Sequence, residues 1–523
     1  MSNSTPSPVR TRFAPSPTGY VHIGSLRTAL FSFLFARKHG GSHVLRIEDT
    51  DQTRLVEGAA ENLVHVLHTL GVEFDEGFSY DAQTNTLTEQ GSFGPYLQSK
   101  RLDIYTQHIT QLIDAGKAYH CYCSSERLEE LRKEQTALKK PPMYDRHCRT
   151  LSESERAAAT AACTAEGRQP VVRLAVPQEG QTVIHDLVYG DITYENKTID
   201  DQVLIKSDGF PTYHFAVVVD DHEMQISHVI RGEEWIPSTP KHLLLYQAFG
   251  WTPPAFAHLP LILNPDKSKL SKRQGDVAVE DFLNKGYLKE ALINFVAFLG
   301  WNPKSEKEIF SMAELITEFD LAKVNKSGAV LDMQKLDWLN GHYIKALPKD
   351  TLAASLVPYW VAAGELVAAT DGTYTAPRLG NKAVDTSYLA AIASVEQERL
   401  KKLSDITERT SYFFGELTYN PELLVWKKST KEKTLVNIGV LQDWFSKAGD
   451  ETLHNPQALQ EALVGFVKEN GYDTGSMLWP LRVALAGMQA SPGPTEVAPI
   501  LAHAFGKEFV LDRLAKAKTA LQS

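Results

Sequence analysis

Two short segments contain residues that could bind the phosphates of a nucleotide. The first is 12–19, with the sequence RFAPSPTG, followed by His22, Gly24 and Ser25. It lies between a predicted strand and a predicted helix, where α/β sheets bind ligands. Gly24 lets a nucleotide approach the backbone, Ser25 suits the N-cap of a helix whose N-terminus attracts phosphate, and His22 can donate a hydrogen bond to it. A plain strand–turn–helix with a surface histidine would also explain these residues.

The second segment is a basic loop at 267–275, with the sequence KSKLSKRQG. It contains four cations within seven residues, and a glycine that could act as a hinge follows them. A carboxylate that attacks the α-phosphorus of ATP needs positive charge where the pyrophosphate leaves, and lysines such as Lys269 and Lys272 would supply it. A solvated basic turn is the alternative.

Three of the four cysteines, Cys121, Cys123 and Cys148, lie within 28 positions. In a reducing compartment such a cluster indicates a metal site rather than disulfides. Zinc takes four nitrogen, sulfur or oxygen ligands in a tetrahedron, and the cysteines supply three. His120 and His147 are candidates for the fourth, and three reduced structural thiols are the alternative. The fourth cysteine stands alone.

Composition sets limits on the partners. The formal net charge of −10 gives no support to nucleic-acid binding, so any such contact requires a local basic patch. No stretch approaches the ~18 apolar residues of a membrane helix, and the N-terminus lacks a signal- or transit-peptide pattern. We therefore expect a cytoplasmic protein with no membrane contact.

The first half of the chain is predicted to be α/β. A strand-like run at 9–14 precedes an apolar helix pattern at 26–34. A second strand at 43–47 precedes a helix at about 58–70. This alternation favours parallel βαβ units.

The character of the sequence changes between about residues 80 and 200. Mixed-charge helices at 100–115 and 125–138 frame the cysteines, and short strands are predicted at 171–176 and 181–194. We interpret this region as an insertion into the α/β domain.

Strand-like runs resume at 202–206, 213–219 and 226–230. The continuously apolar segment 215–219 is typical of a parallel strand covered on both faces. After about residue 276 the strand signals fade, and the remainder is predicted to be helical.

The two phosphate-binding segments, in this order across a split α/β domain, resemble the signature of class I aminoacyl-tRNA synthetases. The second loop departs from the KMSKS form of that signature at Leu270 and Arg273, and its LSKR sequence resembles the bacterial-type glutamyl members. The resemblance is dense from residue 9 to about 303 and sparse but collinear beyond. Other segments similar to the glutamyl enzymes are 45–51 (LRIEDTD), 206–214 (KSDGFPTYH), 218–222 (VVDDH) and 229–235 (VIRGEEW).

The resemblance implies roles for individual residues. Two arginines suit a ligand with two carboxylates, because a guanidinium pairs with a carboxylate bidentately, and Glu48 suits an ammonium group. An acidic turn or a divalent metal site is the alternative for Glu48. The residues implied to hold glutamate are Arg12, Ser16, Glu48, Tyr213 and Arg231. Those implied to bind ATP are His22, Gly24, Glu234 and Lys272, and those implied to act in catalysis are His22, Gly24, Lys269 and Lys272.

The resemblance also bears on zinc and on RNA. Zinc-containing members can use a tyrosine four residues before the last cysteine, here Tyr144, or the residue two positions after it, here Thr150, a poor ligand. The implied zinc ligands are Cys121, Cys123, Tyr144 and Cys148, although some members bind no zinc. Arg399, in the sequence ERLKK, lies where these enzymes place anticodon-reading residues. The charged face of an amphipathic helix would explain it equally well.

The implied fold is α/β: a Rossmann-like class I catalytic domain with an inserted acceptor-binding domain, followed by an all-α anticodon-binding half. The halves of the catalytic domain are predicted at 1–80 and 202–275. The insertion with its possible zinc site is predicted at 81–201, a stem-contact region at 276–340 and the helical anticodon-binding region at 341–523.

The implied activity is two-step acyl transfer, in which L-glutamate reacts with ATP, accompanied by Mg²⁺, and the glutamyl group passes to the 3' end of tRNA(Glu). We expect a monomer. One alternative is a glutaminyl-tRNA synthetase, a family that ends in β-barrels rather than helices, and another is a non-discriminating glutamyl enzyme. Two further alternatives are a nucleotidyltransferase without an RNA substrate and an RNA-binding paralogue without activity.

Overall fold

The computed structural model describes residues 8–81, 83–84, 86–270, 278–369 and 373–523. The chain forms two compact units. The first comprises the chain up to residue 283 together with 289–333, and the second comprises 284–288 with 334–523. Among the described residues, no helix is both long and apolar enough to cross a membrane.

The first unit combines strands and helices. Its strands are β1 (Arg10–Phe13), β2 (Ser42–Leu45), β3 (Gly77–Asp81), β4 (Thr86–Gln90), β5 (Ala118–Cys121), β6 (Val171–Leu174), β7 (Gln181–Asp186), β8 (Gly190–Glu195), β9 (Val203–Ile205), β10 (His228–Gly232), β11 (Ala255–Leu259), β12 (Ile262–Leu263) and β13 (Ala329–Val330). Its helices are α1 (Ile23–Lys38), α2 (Ala59–Thr69), α3 (Leu102–Asp114), α4 (Ser125–Ala137), α5 (Glu153–Ala165), α6 (Tyr213–Glu223), α7 (Thr239–Phe249), α8 (Val279–Asn284), α9 (Lys289–Ala297) and α10 (Met312–Glu318).

A largely parallel sheet with the order β2-β1-β10-β11-β7-β8 forms the centre of this unit. Every neighbouring pair is parallel except β7 and β8, which form an antiparallel hairpin at one edge. From β1 the chain passes through the buried helix α1 to β2 on one side, while β10 lies on the other side of β1. This arrangement opens a crevice at the carboxyl ends of β1 and β10, where open α/β sheets bind ligands. The predicted Rossmann-like fold is confirmed.

The prediction of a strand at 213–219 is wrong, because these residues belong to α6. The helix starts after Thr212, which is extended (φ −75°, ψ 159°), and it buries 215–221 without a break. A short apolar run that is covered on all sides fits a buried helix as well as a buried strand, so periodicity could not separate them. In the helix, the side chains of Asp220 and Asp221 both contact buried arginines. In a strand, two consecutive side chains would lie on opposite faces of the sheet.

The strands predicted within the insertion divide between two sheets. The β7–β8 hairpin joins the central sheet through the pairing of Phe256 with Asp186. By contrast, β5, β6 and β9 form a separate antiparallel sheet beside the cysteines. Asp186 thereby lies beside His258 of β11 and accepts its backbone N–H.

The second unit is helical apart from one small sheet, β14-β15-β16. Its predicted helical character is confirmed, and its core contains large aromatic side chains such as Trp360 and Phe414. The elements are α11 (Met333–Ala346), α12 (Lys349–Ala362), β14 (Val367–Ala368), β15 (Tyr374–Ala376), β16 (Lys382–Val384), α13 (Thr386–Glu396), α14 (Ile406–Thr410), α15 (Lys431–Lys447), α16 (Asp450–Leu453), α17 (Pro456–Glu469), α18 (Thr474–Ala486), α19 (Pro494–Phe505) and α20 (Lys507–Gln522).

Candidate active site

A cavity of about 580 Å³ opens at the carboxyl ends of β1 and β10. This volume lies within the range of ~300–1,000 Å³ that is usual for small-molecule sites. Segments far apart in the sequence contribute to it, so the fold brings together most of the residues selected from the sequence. Those that line the cavity are Arg12, Ser16, His22, Gly24, Glu48, Tyr213, Arg231, Glu234 and Lys269.

His22 and Gly24 lie at the N-terminus of α1. His22 is the N-cap residue: its Nδ1 accepts the N–H of Ser25 at 3.2 Å, and its Nε2 lies 3.0 Å from the Ser25 Oγ. The prediction that Ser25 is the N-cap residue is therefore wrong. Ser25 lies in the first turn of the helix, and its backbone N–H is the group that the His22 side chain caps. A Cβ on Gly24 would lie 3.0 Å from the His22 Cε1, so the glycine makes room for the imidazole itself. A helix N-terminus that faces a cavity suits a phosphate.

Buried charges form a connected cluster at one side of the cavity. The Arg12 Nε–H donates to Asp221 Oδ1 at 3.2 Å, and the Arg46 Nη1 lies 2.9 Å from the same oxygen. Arg46 also donates from Nη2 to Glu48 Oε1 at 3.0 Å. Burial raises the pKa of Glu48 to about 7, although Arg46 and Arg12 oppose the shift. Arg12 is thus paired with a carboxylate of the protein itself.

Arg231 has different surroundings at the end of β10. The side chain is 5% exposed, and its described hydrogen-bond acceptors are imidazole nitrogens of His258 and His242 and the hydroxyl of Thr239. None of these groups carries a negative charge. Burial lowers the pKa of Arg231, and the nearby charge of Asp221 opposes that shift only in part.

Aromatic and acidic side chains complete this part of the cavity. The ring of Tyr213 packs against Trp235, with centroids 4.4 Å apart. Glu234 is exposed, and its carboxylate occupies the space that a Cβ on Gly232 would need. A glycine at the end of β10 therefore lets Glu234 fold back along the rim of the cavity.

The basic loop begins on a tight turn beside the cavity. The Asn264 N–H donates to the Ser268 carbonyl at 2.8 Å, and Leu263 pairs with Lys269 in an antiparallel bridge. Lys269 is exposed and lines the cavity. Lys272 lies outside the described residues, so its predicted role is untested by the geometry.

Arg27 lines the cavity and was missed from the sequence. It is 4% exposed and donates to the carbonyls of Pro260, at 2.6 Å, and Leu299, at 3.2 Å. Burial lowers the pKa of Arg27 to about 10. An arginine within the apolar pattern of α1 was the available signal. Asp221 was also missed, because nothing in the sequence around it indicated that its helix brings it into contact with Arg12.

The cysteine cluster forms a separate candidate metal centre. The sulfurs of Cys121, Cys123 and Cys148 lie within 4.8 Å of one another, and those of Cys123 and Cys148 are 3.6 Å apart. The Tyr144 Oη lies 3.4 Å from the sulfurs of Cys121 and Cys123. A tetrahedral zinc would place its sulfur ligands about 3.8 Å apart and a phenolate oxygen about 3.5 Å from each sulfur. The donor set therefore fits zinc.

The other candidates for a fourth ligand are less well placed. His147 and Thr150 are exposed, whereas Tyr144 is 5% exposed. Among the described histidines, cysteines and acidic residues, only the three cysteines converge, so His120 does not join the cluster. The geometry favours Tyr144.

Arg399 lies in a 3₁₀ turn after α13 in the second unit. Its Nη1 is 3.4 Å from the carboxylate of Glu396, and its Nη2 donates to the Ala490 carbonyl. Glu396 is buried and also accepts from Arg409 at 2.7 Å. The Arg399 side chain is 32% exposed, so it combines a structural contact with access to solvent.

The fold and the cavity agree with comparisons to known protein families. Residues 8–338 match the family described as "tRNA synthetases class I (E and Q), catalytic domain". Residues 351–518 match the family described as "Anticodon binding domain". The protein is thus a class I aminoacyl-tRNA synthetase by sequence and architecture.

Individual relatives narrow the family. The chain is 45% identical to the glutamate–tRNA ligases of Alkaliphilus metalliredigens and Clostridioides difficile, covering 98% of this chain and 99% of each relative. A solved glutamate–tRNA ligase from Elizabethkingia meningosepticum, in complex with its amino acid, is 33% identical with a TM-score of 0.84, over 98% of this chain and all of that one. The chain belongs to the glutamate–tRNA ligase family. The helical second unit also disfavours the glutaminyl alternative, which predicted β-barrels.

Proposed function

We propose that the protein activates L-glutamate with ATP and transfers the glutamyl group to the 3' end of tRNA(Glu). The observation that carries the proposal is the shared cavity, in which a buried arginine whose described hydrogen-bond partners are all neutral lies near a helix N-terminus and a basic loop. A ligand with two carboxylates and one ammonium group needs such cations and an acid, and ATP needs the helix end and the lysines.

The amino-acid subsite would be formed by Arg12, Ser16, Glu48, Tyr213 and Arg231. Arg231 would bind the side-chain carboxylate of glutamate, because it forms no ion pair among the described residues. Glu48 would bind the ammonium group, and the raised pKa indicates that its carboxylate gains from a new cation. Arg12 would contact the ligand while remaining anchored by Asp221.

The nucleotide subsite would be formed by His22, Gly24, Glu234, Lys269 and Lys272. No protein nucleophile is required, because the substrate carboxylate attacks the α-phosphorus and pyrophosphate leaves. Positioning and positive charge at the leaving group would supply most of the rate enhancement, with Mg²⁺ accompanying ATP.

The second unit would recognise the anticodon part of tRNA(Glu), with Arg399 as one contact. Its exposed fraction leaves the guanidinium accessible to RNA. We further propose that the enzyme acts as a cytoplasmic monomer.

A zinc ion would be held by Cys121, Cys123, Tyr144 and Cys148. When bound, it would stabilise the fold of the segment that follows β5 rather than take part in acyl transfer. The fit of the sulfur and phenol positions to a tetrahedron supports this assignment.

Aminoacylation of tRNA(Glu) with labelled glutamate tests the proposal. We expect label on intact tRNA and none on tRNA whose 3'-terminal ribose has been oxidised by periodate. Equal labelling of the oxidised tRNA would show that the acceptor is not the terminal ribose. Failure to label intact tRNA with glutamate, while another amino acid is transferred, would refute the substrate assignment.

A further inference from the structure

The side chain of Arg231 is fixed from several sides. Its Nε–H donates to His258 Nε2 at 3.2 Å, its Nη1 lies 3.3 Å from His242 Nδ1, and its Nη2 donates to Thr239 Oγ1 at 2.8 Å. The phenol of Tyr213 is a further neutral neighbour. The guanidinium is thus held in one orientation by neutral groups, and no carboxylate of the part of the chain that the structure describes forms a hydrogen bond with it.

The protonation state of both histidines follows from these contacts. A guanidinium only donates hydrogen bonds, so His258 Nε2 and His242 Nδ1 must both be unprotonated acceptors. His258 then carries its proton on Nδ1, which lies 2.6 Å from Asp186 Oδ2. His242 carries its proton on Nε2, 2.9 Å from His214 Nδ1. Both imidazoles are therefore neutral while they hold Arg231.

Burial keeps them neutral. His258 and His242 are 0% and 1% exposed, and desolvation lowers the pKa of each, with the nearby Arg231 charge acting in the same direction. Neither histidine has a surface from which it could contact solvent. The two imidazoles thus act as fixed dipolar acceptors rather than as titrating bases.

The sheet and the following helix fix the two histidines in place. His258 is the register partner of Arg231 on the adjacent parallel strand β11, and His242 lies in the first turn of α7. Asp186, at the end of β7, accepts the backbone N–H and the ring N–H of His258. The carboxylate of Asp186 is therefore separated from Arg231 by an imidazole.

The comparison with Arg12 shows what this arrangement achieves. Arg12 contacts Asp221 directly, and that pair is buried. A ligand carboxylate at Arg12 competes with a carboxylate that is already in contact, whereas a ligand carboxylate at Arg231 meets a guanidinium whose described direct partners are all neutral and which Asp221 affects only from a distance. Discrimination between a carboxylate and a neutral amide is strongest where the cation has no other anion.

We propose that His258 and His242 are positioning residues for substrate specificity: they orient Arg231 through neutral acceptor nitrogens and leave its charge available to the side-chain carboxylate of glutamate. This inference rests on the proposed function, because it takes glutamate as the substrate. A carboxylate in place of either imidazole would orient the guanidinium equally well, but it would neutralise the charge that selects glutamate over glutamine.

Substitutions at these two positions separate orientation from charge. His258→Glu and His242→Asp place an anion against Arg231, whereas His258→Gln and His242→Asn keep a neutral acceptor near the original nitrogen. The readouts are kcat and KM in ATP–pyrophosphate exchange with glutamate and with glutamine, with tRNA present. For the carboxylate variants we expect the glutamate KM to rise at least about tenfold, a smaller change in kcat, and a fall of the glutamate-to-glutamine ratio of kcat/KM by about tenfold or more. The neutral variants should keep that ratio within about threefold of the parent protein.

The outcomes distinguish the two levels of the proposal. If the parent protein shows no glutamate-dependent exchange, the proposed function fails. If it exchanges normally and a folded carboxylate variant keeps the parental glutamate-to-glutamine ratio, the role of the histidines is refuted. If both carboxylate variants fail to fold, His242→Leu provides the test. A lower glutamate-to-glutamine ratio of kcat/KM in His242→Leu, restored in His242→Asn, supports the proposal. An unchanged ratio in His242→Leu overturns it.

Discussion

Replacement of Arg231 by cysteine should narrow the preference for glutamate over glutamine. The two amino acids differ in a carboxylate against an amide of similar shape, so charge must separate them. Arg231 is 5% exposed, and its described hydrogen-bond acceptors are neutral groups. With glutamate bound, the guanidinium gains a charge-assisted hydrogen bond of about 1.5–3 kcal/mol. With glutamine bound, the cation stays unpaired in a desolvated site, at a cost of about 3–5 kcal/mol.

These two free energies set the size of the expected effect. The cysteine variant loses the hydrogen bond to glutamate, and it no longer has an unpaired cation when glutamine is bound. The two contributions are not fully additive. Counting only the lower bound of the second contribution, about 3 kcal/mol, we expect the glutamate-to-glutamine ratio of kcat/KM to fall by at least about 10²-fold, since 1.4 kcal/mol corresponds to a factor of ten. Most of the change should appear as a higher KM for glutamate.

The assay is ATP–pyrophosphate exchange, with kcat and KM measured for both amino acids on the same preparation. Arg12→Lys is the matched control, because Arg12 is already paired with Asp221 and should affect both amino acids to a similar extent. If Arg231→Cys weakened both amino acids equally and Arg12→Lys changed their ratio, the assignment of the two arginines would be reversed.

Other predictions follow from contacts elsewhere in the protein. Gly24→Ala should displace the adjacent imidazole and slow adenylate formation by about 10²-fold at an almost unchanged KM for glutamate, and single-turnover kinetics would show this. Because burial raises the pKa of Glu48 to about 7, its carboxylate is lost as pH falls, so kcat/KM for glutamate should decrease below about pH 7. In Glu48→Gln that acidic limb should be absent, and its persistence would assign the ionisation to another group. Tyr144→Phe should lower the zinc content that survives a fixed chelator challenge, whereas unchanged zinc would exclude the phenol as a ligand. Arg399→Ala should raise the KM for tRNA about tenfold, and Arg409→Ala, which removes the other partner of the same buried carboxylate, should not; equal effects would indicate a structural role only.

The sequence predicted the parts of the site that depend on local motifs. Three elements lie close to their predicted positions: the strand before the turn at 12–19, the helix after it, and the strand that ends near Arg231. Each is a short run of apolar residues bounded by turn-forming residues, which is the pattern that sequence alone can show. Their convergence on one cavity also followed from the parallel βαβ order, which directs the ends of β1 and β10 to the same edge of the sheet.

Long-range polar pairing could not be predicted in this way. The partners of Arg231 lie 8, 11 and 27 residues away, and the Arg12–Asp221 pair spans 209 residues. Residues 213–219, just before Asp221, were predicted to be a strand rather than a helix, because an apolar run buried on all sides gives no periodicity to distinguish the two. The fold decides whether an arginine contacts a carboxylate of the protein. Arg12 contacts Asp221, whereas the described partners of Arg231 are neutral.

The most direct test of the central claim is the amino-acid dependence of ATP–pyrophosphate exchange by the unmodified protein, measured with and without tRNA(Glu). If Arg231 binds the side-chain carboxylate of glutamate as proposed, the protein should show exchange with glutamate and much weaker exchange with glutamine and aspartate at equal concentration. Exchange that is equally efficient with glutamine, or absent with glutamate even when tRNA is present, would contradict the account.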